Sequence, residues 1–360
     1  MKIWYNIKML YHIAELLGPY FGPMRLLQSY AVLISLGLFL GFLITVLLLP
    51  KFYSKLPKDR GREFTVNPEA AVGKPTGGGV VFISIFVLCV FLLIIPTLTQ
   101  GLVLVITFAV MLTGFLDDRS EKSWGEYLKG GLDFILSAVT ALVIFYIYFE
   151  GKVSFWLPFT SNLVEVHPIV FFAVSIMILW ISINTTNCTD GVDGLSGTLI
   201  LLALVSLGIV FYFVLGHVKV ATYLLVPNIT TGAKWAVMVF TLCGVLTGYL
   251  WHNAYPSKVL MGDAGSRALG FFIGVLVIIS RNPFILLMTS GVILINGGTG
   301  ILKVVMLRFF KIRIFKNIRF PLHDHMKKNL QWSPTQVLIR FVIVQILITI
   351  VILGILFKIR

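Results

Sequence analysis

The feature that most constrains this chain is a series of long apolar runs, ten of them, with hardly a charge inside. They cover approximately residues 29–49, 77–98, 101–116, 131–149, 168–183, 197–215, 235–251, 268–280, 284–307 and 335–357. A helix needs about 20 largely apolar residues to cross a bilayer, so each run, completed by its polar ends, is a candidate span. The run 268–280 is the least secure, because only Arg281-Asn282-Pro283 separates it from its successor and the two can merge as a hairpin. The runs do not alternate polar with apolar, which argues for helices and against a β-barrel. Composition agrees: 58% of residues are hydrophobic and 12% charged, against about 25% charged in soluble domains. The expected fold is an all-α polytopic membrane protein of about ten transmembrane helices, a single domain over residues 1–360. Within it, 29–357 forms the helical body, and Ile3–Leu17 of segment 1–28 is read as a short interfacial helix.

Several classes drop out early. Nothing before Ser29 has the apolar core and small-residue site of a cleaved signal peptide. Cys89, Cys188 and Cys243 make an odd set with no zinc spacing, so neither a disulfide framework nor a zinc site is expected. No internal repeat supports an inverted-repeat transporter.

The net charge of +14 is informative through its placement. Lys51, Lys55, Lys58, Arg60, Arg62 and Lys74 follow the first run. Arg119, Lys122 and Lys129 fall on the same side, then Lys258 and Arg267, then seven basic residues from Arg308 to Lys328. The opposite side receives scattered singles such as Lys152, Lys219 and Arg281. The positive-inside rule places the basic side in the cytoplasm and both termini outside. Asp117, Asp118, Asp190, Asp193, Asp263 and Asp324 all belong to that cytoplasmic side, although they come from different loops. A transporter or pump would set its ionisable residues near the bilayer midplane. Here chemistry at the cytoplasmic face is the better expectation.

The polar stretch Ile183–Gly197, INTTNCTDGVDGLSG, interrupts two apolar runs. Such a break is costly unless a ligand or metal uses it, and it lacks the Lys or Arg of an ordinary surface loop. Asp190 and Asp193 are three apart, so a helical turn would place them on one face. The bland alternative is an interhelical loop of Asx turns and a helix cap. Asp117 and Asp118 end the third run, where two carboxylates repel the negative end of a helix and each other. A bound cation would relieve that, and so would Arg119 and Lys122 at an exposed helix end. Asp263 lies in a glycine-bracketed run that reads as a tight loop presenting it to a metal or phosphate, with Ser266 as a candidate helix cap. GKPTGGG, Gly73–Gly79, resembles a phosphate cradle of backbone N–H groups at a helix start. It is no P-loop, and close helix packing at the glycines is its plain alternative. In FPLHDHMKK, Phe320–Lys328, His323 and His325 flank Asp324 in a basic loop suited to phosphate, or are surface histidines. Magnesium commonly joins one or two carboxylates to substrate phosphates, and phosphoryl transfer needs that cation, basic groups and a positioned nucleophile. The flanking apolar runs suit a lipid substrate.

With these pieces assembled, the chain resembles the polyprenyl-phosphate N-acetylhexosamine-1-phosphate transferases, and most closely the phospho-N-acetylmuramoyl-pentapeptide transferases. The resemblance is carried by GKPTGGG, GFLDD, NCTDGVDGLSG, NAYPSKVLMGDAGS and PLHDH in the family's order, from Gly73 to His325. It implies transfer of phospho-MurNAc-pentapeptide from UDP-MurNAc-pentapeptide to undecaprenyl phosphate, giving lipid I and UMP, with Mg2+ as cofactor. It implies a multi-pass protein of the bacterial inner membrane, with the ten-helix body as the catalytic domain. Partners would be the two substrates, without nucleic acid, and a homodimer is left open. By motif match, Asp117, Asp118, Asp263 and His323 are the catalytic residues and Asp263 the magnesium ligand. Asp117 would deprotonate or orient the lipid phosphate. Lys74, Thr76, Asn187, Asp190, Asp193, Asn253 and His325 match substrate-binding positions. Two departures stand out: Asp324 replaces the middle of three family histidines, and Lys303 stands where the family often has Gln. GlcNAc-1-phosphate transfer to the same lipid is the alternative reaction, and a transporter with an acidic vestibule the alternative class.

Overall fold

The computed structural model describes residues 19–61, 71–160 and 162–358. The interfacial helix expected at Ile3–Leu17 lies outside them. Ten apolar helices follow the expected runs, including terminal 3-10 or π turns: α1 Tyr30–Phe52, α2 Gly79–Leu93, α3 Leu98–Arg119, α4 Glu126–Tyr148, α5 Pro168–Thr189, α6 Leu195–Leu215, α7 Gly232–Asn253, α8 Gly262–Ile279, α9 Ile285–Phe309 and, after a short helix, α11 Pro334–Phe357. Among the described residues nine helices are long enough to cross a bilayer by length and composition, and α2 is a shorter apolar helix. The short helix α10, Leu322–Asn329, carries the histidine motif, which by sequence reads as a loop. A two-residue antiparallel pair, β1 Ser154–Phe155 with β2 Val164–Glu165, is a small departure from an all-α chain.

The axis of the bundle is α8. Its whole apolar window is buried, against 11% for α11, so α8 reads as an interior helix and α11 as one facing lipid. Principal neighbours of α8 are α3 and α5, with α2 also against it. A Cβ on Gly79 of α2 would overlap the Gly265 backbone, so only glycine lets α2 approach α8 that closely. The merger of α8 with its successor does not occur. Asn282 Oδ1 accepts the Phe284 N–H at 2.9 Å to turn the chain, and α9 then packs on α11 and α6.

Specific side chains satisfy the backbone where helices start or break. Thr97 and Gln100 form a capping box at the start of α3, with bonds of 2.9 and 3.3 Å. Inside α9 the backbone breaks at Ser290 (φ −129°). Gln345 of α11 repairs the break: its Oε1 accepts the Val292 N–H at 2.9 Å and its Nε2 donates to the Met288 carbonyl at 3.0 Å. Unpaired backbone inside a membrane bundle is costly, which accounts for a fully buried glutamine on a lipid-facing helix. A π turn at Leu294–Gly298 follows and carries Asn296.

Candidate active site

The ends of α3, α5, α7 and α8 meet, joined by bonds between named residues. Asp117 and Asp118 sit in the last turn of α3 and face different partners. Asp117 is buried; its Oδ1 accepts the Trp124 N–H at 2.6 Å and its Oδ2 pairs with Lys129 Nζ of α4. Lys129 also lies 3.0 Å from Asp263 Oδ2, so one ammonium joins the two carboxylates. Asp118 Oδ1 and Oδ2 accept the backbone N–H groups of Asp263 and Ala264, each at 3.0 Å. At the end of α3, the Lys129 ammonium thus faces Asp117 and the positive N-terminus of α8 faces Asp118.

Asp263 is in the first turn of α8, which corrects its placement in a loop. Gly262 begins that turn at φ +67°, a conformation suited to glycine, and a Cβ there would overlap Asp118 Oδ2. Ser266 is not a helix cap: its hydroxyl donates to the Gly262 carbonyl at 2.9 Å and accepts from Asn187 Nδ2 at 3.2 Å.

A second cluster is built from the loops after α5 and α7 and the GKPTGGG segment. Asp193 Oδ1 accepts the Ser257 hydroxyl at 2.8 Å and its Oδ2 the Ser257 N–H at 3.0 Å. Lys74 Nζ donates to Ser257 Oγ at 3.0 Å and stands 3.7 Å from Asp193 Oδ2. Asn253 Oδ1 accepts the Gly194 N–H at 2.9 Å, while its Nδ2 donates to the Val259 carbonyl at 2.8 Å. Asn253 therefore fixes the loop bearing Asp190 and Asp193. Asp190 ends α5, its N–H bonded to the Asn187 carbonyl at 3.2 Å.

Most backbone N–H groups of GKPTGGG are taken within the protein. The N–H groups of Thr76, Gly78 and Gly79 donate to the carbonyls of Pro57, Leu260 and Met261, and Leu260 N–H returns a bond to Pro75. The motif straps α2 to the start of α8, as the packing alternative held. Thr76 is buried in that strap.

His323 is buried against Gly191, not on the surface. Its N–H donates to Asn296 Oδ1 at 2.9 Å and its Nδ1 meets the same side chain. Asp324 is buried too, in an ion pair with Lys327 Nζ at 3.2 Å, and 3.8 Å from His323 Nε2. His325 Nδ1 accepts the Arg319 N–H at 3.3 Å. The variant Lys303 donates to the carbonyls of Phe315 and Ile318, at 3.0 and 2.9 Å, and so ties down the basic segment after α9.

Sequence reasoning overlooks Lys129, Ser257 and Asn296 as site residues. Lys129 is legible only as one more basic residue, and neither Ser257 nor Asn296 carries a signal apart from its partner. Among the described residues no group of three or more His, Cys, Asp or Glu is placed to hold a metal alone. Magnesium does not require such a cage, since it keeps waters and takes substrate phosphate oxygens. The carboxylate oxygens of Asp117 and Asp263 are donors of the type magnesium takes, and in this structure they face the Lys129 ammonium.

Residues 101–281 match the family described as Glycosyl transferase family 4. The chain is 60% identical over 348 residues to a phospho-N-acetylmuramoyl-pentapeptide-transferase of Treponema pallidum (strain Nichols), covering 97% of this chain and 96% of that one. It is 32% identical to a protein of that name from Helicobacter pylori (strain ATCC 700392 / 26695), covering 92% and 96%. The protein of that name from Sulfurimonas denitrificans (strain ATCC 33889 / DSM 1251) is 31% identical, covering 93% and 96%.

Proposed function

The chain belongs to the phospho-N-acetylmuramoyl-pentapeptide-transferase family, and on that premise we propose that it moves phospho-MurNAc-pentapeptide from UDP-MurNAc-pentapeptide to undecaprenyl phosphate, yielding lipid I and UMP. It is a multi-pass membrane protein by its apolar helices and its family. We place it in the bacterial cytoplasmic membrane with the aspartate cluster facing the cytoplasm, where UDP-sugars are found. The observation that carries the reading is the meeting of Asp117 and Asp263 on Lys129, together with the Lys74–Asp193–Ser257 cluster.

In this reading an oxygen of the lipid phosphate attacks the phosphorus bonded to the sugar, and the bond to the UMP oxygen breaks. Asp263 would hold Mg2+, which supplies charge neutralisation for the diphosphate when bound. Asp117 orients the incoming lipid phosphate, and its contact with Lys129 keeps the carboxylate aimed at the cluster. Asp118, the third catalytic aspartate of the motif match, holds the first turn of α8, and with it Asp263. Lys74, Asp193, Asn187 and Asn253 bound the nucleotide side, with Ser257 fixing Asp193. His323, held by Asn296, and His325 flank the phosphates. Purified protein with undecaprenyl phosphate is offered UDP-MurNAc-pentapeptide and UDP-GlcNAc in turn. UMP release with the first alone is expected, and release with UDP-GlcNAc alone overturns the assignment.

A further inference from the structure

Two helices carry paired charges in opposite order. On α4, Lys129 and Asp133 are four residues apart and share a face; on α8, Asp263 and Arg267 do the same. Lys129 Nζ reaches Asp263 Oδ2 at 3.0 Å, and Arg267 Nη2 reaches Asp133 Oδ1 at 2.5 Å. The result is a ladder of two rungs with reversed polarity. Its outer rung belongs to the candidate active site. The inner rung is sealed, with side chains 2% and 1% exposed. Asn184 of α5 donates to Asp133 Oδ2 at 3.4 Å, whereas Arg267 Nε and Nη1 have no hydrogen-bond partner. By sequence Arg267 counts among the cytoplasmic loop charges; it is instead inside α8.

Stability alone is a poor reason for such a pair. Apolar side chains of similar volume often serve as well or better, and charge inside a membrane bundle is expensive. Its location suggests another use. The main packing of α8 is on α3 and α5, and from α4 both Lys129 and Asp133 reach across to it. One helical turn beyond Arg267, about 6 Å along α8, stand Asp263 and the other two carboxylates of the cluster.

We propose that Asp133 and Arg267 are positioning residues for the transfer reaction. Their bond sets the rotation of α4 against α8 and so fixes Lys129 between Asp117 and Asp263. Neither residue touches substrate. The inference rests on the transferase reading above.

The test compares the double variant Asp133→Leu/Arg267→Leu and the conservative Arg267→Lys with the whole protein in detergent, reading Tm, kcat and KM by UMP release. The Leu pair is expected to keep or raise Tm while kcat falls roughly 10-fold or more at an unchanged KM for the UDP-sugar. Arg267→Lys keeps the charge and can make a single N–H···O contact like that of Arg267 with Asp133, and is expected to keep kcat within about threefold of wild type. A Leu pair with wild-type kcat shows mere packing and overturns the proposal. So does an Arg267→Lys protein that folds but stays tenfold down. Should the Leu pair not fold, Arg267→Lys decides alone. A wild type that releases no UMP from any UDP-sugar removes the transferase reading and this inference together, whereas an active wild type with an unaffected Leu pair removes the inference only.

Discussion

The carboxylate of Asp118 caps the helix that carries Asp263: it accepts the Asp263 and Ala264 N–H groups, each at 3.0 Å, from the last turn of α3 to the first turn of α8. Two aspartates 145 residues apart are thereby locked at a fixed separation. The hydrogen bonds to both carboxyl oxygens and the helix dipole act in the same direction.

Removing that cap is expected to cost stability as well as activity. Asp118→Ala leaves two N–H groups unpaired and should lose about 0.5–2 kcal/mol. Asp118→Asn retains one acceptor and should lose less. Thermal unfolding in detergent checks the order wild type, Asn, Ala. An Ala variant with wild-type Tm and no turnover would make Asp118 a chemical group instead.

Ser257 is expected to act on substrate affinity. Ser257→Ala frees Asp193 of its hydroxyl partner and Lys74 of its acceptor, leaving the backbone N–H on Asp193. The KM for the UDP-sugar should rise roughly tenfold, in line with losing hydrogen bonds to charged groups, while kcat changes little. Steady-state UMP release at varied UDP-sugar measures both. A fall in kcat at constant KM would move Ser257 to the reacting end of the site.

Asp324 is expected to matter for folding more than for phosphate affinity. From sequence, an acid in place of a family histidine predicts that Asp324→His is tolerated or lowers KM. The buried pair with Lys327 changes that, because the substitution leaves the ammonium uncompensated. Asp324→His should lose about 1–3 kcal/mol, and Asp324→His with Lys327→Met, which removes the uncompensated ammonium, should recover part of it. Tm values of the single and double variants decide.

Topology has its own test. In a Cys188→Ser background, Asn162→Cys should react with an impermeant thiol reagent added outside intact cells, and Ser54→Cys should not. The basic loops motivate this orientation. The reverse labelling would put the aspartates on the side that lacks UDP-sugars.

How much of this is legible in the sequence follows from how far each signal extends along the chain. Ten apolar runs predict ten helices with ends nearly in place, because bilayer crossing is set by local composition. The aspartates are legible because polar breaks such as Ile183–Gly197 stand out among apolar runs. Partnerships are not. GKPTGGG reads as a phosphate cradle until its N–H groups are found bonded to Leu260 and Met261, far along the chain. Lys129 and Arg267 both read as loop charges, since the residues that recruit them lie on other helices. Asp324 reads as a replaced histidine because its partner Lys327 is one charge in a basic run.

The central claim is that Asp117 and Asp263, joined by Lys129, do different work in one transfer site. UMP release by Asp117→Asn and Asp263→Asn across a magnesium titration tests it most directly. Asp263→Asn should need more magnesium and regain part of its activity in excess, as expected when a metal ligand is weakened. Asp117→Asn should remain roughly 10²- to 10⁴-fold down at every magnesium concentration, while calorimetry still shows UDP-sugar binding. Rescue of Asp117→Asn by magnesium, with Asp263→Asn beyond rescue, would contradict the account.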